Sequence, residues 1–84
     1  MPLISSFYGI YIRMYFIGEE HNPPHIHAIY NDNTASIDIK KCAIIEGELP
    51  NKAKAMVLEW VKLHQNELLK IWEEQVFKEI EPLE

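Results

Sequence analysis

From Gly9 to Phe16 apolar and polar side chains alternate with period two: Ile10, Ile12, Met14 and Phe16 fall on one side, Tyr11, Arg13 and Tyr15 on the other. This predicts a strand with one buried face. Gly18 and the Pro23-Pro24 pair exclude helix from the loop 17–24, and His25 to Tyr30 alternates again before the turn residues Asn31, Asp32 and Asn33. Ala35 to Ile39 alternates a third time. Ala43-Ile44-Ile45, ahead of Glu46-Gly47, offers a short fourth strand. Elements this close in sequence pair with their neighbours, so the prediction is an antiparallel meander of three to four strands.

Pro50 suits a first helical position, where its missing N–H costs nothing. From Ala53 the apolar residues Met56, Val57, Trp60, Leu63, Leu68, Ile71 and Trp72 recur at spacings of three and four, which predicts one long C-terminal helix over about 50–77. Asn66, a weak helix former, leaves open two helices bent at that point. Ile80 and Leu83, on either side of Pro82, read as a tail that docks back onto the domain. The helix carries the one large apolar stripe outside the strands, so it is expected across the sheet face made by Ile10, Ile12, Met14, Phe16, Ile26, Ala28, Ile37 and Ile39. Trp60 and Trp72 read as core anchors. The fold class is therefore α+β, a small meander sheet with the helix packed on one face, forming a single domain over 1–84.

Composition agrees with a folded domain and narrows its company. Of the 84 residues 48% are hydrophobic and 25% charged, enough for one core and too few for two. The charge-free stretch Met1 to Ile12 is too short and too polar to cross a membrane, and no basic leader precedes an apolar run. A single cysteine, Cys42, excludes an internal disulfide and makes the reducing cytoplasm the expected compartment. Net charge is −5 and Arg13 is the sole arginine, so the chain is a poor candidate to hold nucleic acid without a basic partner.

The same alternation that buries the even residues of the first strand sends Tyr11, Arg13 and Tyr15 to the opposite face, with His25, His27, Ser36 and Asp38 from the next two strands. Three of the four histidines lie within His21-Asn22-Pro23-Pro24-His25-Ile26-His27. Two imidazoles and one cation suffice for metal-independent cleavage of a phosphodiester: His25 and His27 as base and acid, Arg13 on the developing charge. A second chemistry uses His21, His25 and His27 as three nitrogen donors to a transition metal such as zinc or nickel, with Asp38 or Glu20 completing the set. A third reading needs no chemistry, because proline stiffens the lead-in to the strand and a polar sheet face with Tyr11, Arg13, Tyr15, His25, His27 and Asp38 can serve a partner or ligand. His64 reads as a boundary residue of the helix.

The segments Phe7-Tyr-Gly-Ile10, Arg13-Met-Tyr-Phe16, His21-Asn-Pro-Pro-His-Ile-His-Ala28, Gly47-Glu-Leu-Pro50, Leu58-Glu-Trp60 and Ile80-Glu-Pro-Leu83 together resemble the small bacterial domain-of-unknown-function family 4160. Where that family often carries Asp-Asp before His-Asn-Pro-Pro, this chain has Ile17-Gly18-Glu19-Glu20. The resemblance transfers no activity. It implies a small protein partner encoded nearby, in an arrangement like that of toxin–antitoxin pairs. A homodimer through an open strand edge is the other association to expect.

Overall fold

The computed structural model describes residues 3–14 and 23–83. Five strands, β1 (Leu3–Phe7), β2 (Ile10–Arg13), β3 (His25–Tyr30), β4 (Asn33–Asp38) and β5 (Ala43–Gly47), form one sheet in the order β1-β2-β3-β4-β5. Every neighbouring pair is antiparallel. Two helices follow, α1 (Asn51–Leu63) and α2 (Gln65–Glu74). The α+β meander is as expected, but the count of elements is not.

The additional strand is β1. It escapes a period-two reading because a bulge between Leu3 and Ser5 places both Ile4 and Ser5 on the buried side, so the residues run buried, buried, exposed, buried from Ile4 to Phe7. Gly9, expected as the first residue of a strand, is instead in the tight turn joining β1 to β2, where Tyr8 and Gly9 have φ of 51° and 80°. Paired positive φ values match the twist of an antiparallel hairpin. At the other margin, β5 runs two residues further than the apolar triplet suggested, while β2, expected to reach Phe16, ends at Arg13 with Met14 beyond it, and Tyr15 and Phe16 lie outside the described residues.

The single long helix is also corrected. The chain breaks at His64, whose φ of −115° and ψ of 21° leave the helical region, two residues before the bend that Asn66 suggested. Its N–H is shared between the carbonyls of Trp60 and Val61, and its carbonyl accepts from Leu68, so α2 restarts at once. Two contacts hold the break: the His64 ring lies 5.2 Å from that of Trp60, and the Gln65 amide donates to the carbonyls of Ile39 and Lys40 at 2.9 Å each. Leu63 is thereby turned out, 67% exposed. Gln75, left-handed at φ 56°, ends α2 three residues before the expected limit.

Ile10, Ile12, Met14, Ile26, Ala28, Ile37 and Ile39 are all buried, with Val57, Trp60, Val61, Leu68 and Ile71 of the helices in the same cluster. Each long apolar side chain sealed there contributes about 1.5–3 kcal/mol by area. Trp60 is a core anchor, whereas Trp72 is only half-buried. The tail docks as expected: the Ile80 N–H donates to the Ile4 carbonyl at 2.7 Å, and the Trp60 indole N–H donates to the Glu81 carbonyl at 2.8 Å. No helix is long and apolar enough to cross a membrane.

Candidate functional site

With the even residues of β2 sealed under the helices, register decides what gathers on the reverse. Arg13 stands opposite His27, His27 opposite Ser36, and Ser36 opposite Glu46, so the four form one row across β2 to β5. The adjacent row is Ser6, Tyr11, Ile29 and Thr34. Directly opposed residues share a face at about 4.5–5.5 Å between Cβ atoms, close enough to act together. Arg13, His25, His27 and Ser36 are half-buried, while Tyr11 is 49% exposed and Glu46 is exposed.

His25 begins β3 and is fixed by its own lead-in. Its Nδ1 lies 2.9 Å from the Pro23 carbonyl, which can only accept, so Nδ1 carries the hydrogen of this bond. Pro24 is tied to the sheet in turn, its carbonyl accepting from Ile39 N–H at 3.0 Å. The proline pair thus extends the β3–β4 ladder and aims His25. The His25 ring lies 5.1 Å from the His27 ring and 5.1 Å from the Trp72 ring, which places it where the polar face meets α2. His27 Nδ1 is 3.4 Å from the Ser36 hydroxyl.

Electrostatics separates the two imidazoles. Partial burial, and then the neighbouring His25, push His27 below the ordinary histidine value of 6.5, against an opposing pull from Glu46. His27 is therefore held toward its neutral form at pH 7, beside an arginine and a second imidazole. Such a pair can pass protons, and it can equally supply a donor and an acceptor to a docked surface.

Asp38, expected on this face, stands opposite His25 but is 4% exposed, and its Oδ1 accepts from Lys41 N–H at 3.0 Å. Its carboxylate holds the turn into β5, so it adds nothing to the open surface. Tyr15 and His21 lie outside the described residues. Among the described residues no three of His, Cys, Asp and Glu converge as metal ligands, and of the expected donors His25, His27 and Asp38 are placed while His21 and Glu20 lie outside the described residues. Two neighbours escaped the sequence reading. Glu46 is brought in by the β4–β5 register, and Trp72 sits at the margin of the apolar stripe, which made it look like core. A separate open cleft of about 460 Å³ lies at the far end of β3, lined by Tyr30 with Tyr8, Pro50, Lys52, Ala53, Met56, Glu59 and Leu83.

Comparison with curated proteins finds no match, and comparison with solved structures finds none. A family model described as Domain of unknown function (DUF4160) matches residues 9–73, which takes in β2 to β5, α1, most of α2 and every described residue of the histidine face, and the chain belongs to that family.

Proposed function

We propose that this protein is a cytoplasmic interaction module, one component of a toxin–antitoxin-like pair, that docks a small protein partner on the sheet face bearing Tyr11, Arg13, His25 and His27. The observation that carries this reading is the pair of cross-strand rows, Arg13-His27-Ser36-Glu46 beside Tyr11-Ile29-Thr34, on the side of the sheet opposite the buried Ile10, Ile12, Ile26 and Ile37. An exposed tyrosine next to an arginine is the side-chain mix that protein interfaces favour. The test is calorimetric titration with the small protein encoded beside this gene. Tyr11→Ala and Arg13→Ala should each weaken binding at least about tenfold, a typical effect of truncating an interface anchor. Binding that is absent, or untouched by both substitutions, rejects the proposal.

One observation favours a second reading, metal-independent ribonuclease. His27 is biased toward the neutral form a base requires, its ring is 5.1 Å from His25, and Arg13 stands directly opposite it. In that case untagged protein cleaves RNA in the presence of a chelator, and His25→Ala with His27→Ala abolishes both cleavage and growth inhibition. Under the docking reading the same double variant only weakens partner capture.

A further inference from the structure

The two edges of the sheet are unequal. At β1 the tail lies against the strand, with the Ile80 N–H donating to the Ile4 carbonyl. At β5, among the described residues, no backbone bond arrives from outside, and four of its five residues are exposed. Its centre is apolar: Ala43, Ile44 and Ile45, the last 49% exposed. Open, apolar strand edges are templates for pairing.

The charges around this edge are arranged by sign. Lys40 and Lys41 precede the apolar centre, and Glu46 and Glu48 follow it. A strand of arbitrary sequence gains nothing from that order, but an antiparallel copy of the same strand does. We propose that β5 is a self-association edge, pairing with β5 of a second copy of this chain about a two-fold axis perpendicular to the sheet. Centred on Ile44, such an axis sets Ile44 against its counterpart and Lys40 opposite Glu48 of the second copy. Each basic end then meets an acidic end, and the arrangement closes on itself. Parallel pairing puts like charges together and is disfavoured.

The bulge between Ser36 and Ile37 of β4 and their β5 partners limits the regular stretch, so the contact is short and the dimer reversible. The axis keeps each face of the sheet on its own side, and the two Arg13-His27 rows then share one surface. Glu46 belongs to both the docking row and this edge, but Ile45→Lys tests the edge without touching that row, so either can fail without the other.

Sedimentation velocity over roughly two decades of concentration is the first measurement. The wild-type chain is expected to pass from monomer to dimer, and Ile45→Lys to weaken self-association at least about tenfold without loss of folded circular dichroism, since the side chain is half exposed. The charge order has its own test. The variant Lys40→Glu with Lys41→Glu, and the variant Glu46→Lys with Glu48→Lys, should each stay monomeric alone and form a dimer when mixed. A wild-type chain that remains monomeric, a dimer indifferent to Ile45→Lys, or charge variants that fail to associate on mixing overturns the proposal.

Discussion

Replacing Gly47 by alanine isolates the cost of bringing β5 close to β4. Gly47 has φ of 77°, and a Cβ at that position falls 2.1 Å from the Thr34 carbonyl oxygen and 3.0 Å from Ala35 Cα. Both neighbours are backbone, so the strand itself must move. Gly9 supplies the control, with φ of 80° and nothing nearer to the added carbon than the Tyr30 ring at 3.6 Å. For either residue, alanine in the left-handed region costs about 1–2 kcal/mol, partly offset by about 0.4–1 kcal/mol because the unfolded chain also loses freedom. Gly9→Ala should therefore cost about 1 kcal/mol. Gly47→Ala carries the same strain and adds the separation of β5 from Thr34, with at least one ladder bond at about 0.5–1.5 kcal/mol, for a total of roughly 2 kcal/mol or more. Urea unfolding at a slope of about 1 kcal/mol/M, the low end for small proteins, turns these into midpoint losses of about 1 M and about 2 M. Equal losses for the two variants would refute the close approach at Gly47.

Two further expectations concern the site and the tail. His27 binds its proton less readily in the folded chain than in the unfolded one, so its contribution to stability is complete above about pH 6.5 and erodes as pH falls through that value. Urea midpoints at neutral and mildly acidic pH should therefore converge in His27→Ala, and an unaltered pH slope in that variant contradicts the assignment. Trp60→Phe removes the indole donor to Glu81 at a cost of about 1 kcal/mol, with more from the ring volume lost in a fully buried position. Cleavage by trypsin at the exposed Lys78 should accelerate as the tail loosens, and unchanged protection there speaks against the contact.

What could be read in advance follows from which forces are local. The buried face of β2, β3 and β4 was legible because strict alternation leaves one assignment for Ile10, Ile12, Ile26 and Ile37, and the polar row follows from the same pleat. Strand β1 was hidden because its bulge spends two successive residues on one side. The helix break falls at His64 through contacts with Trp60 and between Gln65 and the distant Ile39-Lys40 turn, none of which is visible in helical periodicity. Asp38 looked like a surface carboxylate, since alternation says where a side chain points and is silent on the backbone N–H three residues later that captures it. Glu46 joins the row through pairing between strands, and Trp72 reaches His25 through packing between a helix and the sheet.

The tail contact also carries a meaning for biosynthesis. Strand β1 leaves the ribosome well before Ile80 and Glu81, the residues that engage Ile4 and the Trp60 indole. A nascent chain can zip its hairpins early but keeps one flank of its core unsealed until Ile80 and Glu81 have emerged. During that interval it is most exposed to proteases and to aggregation.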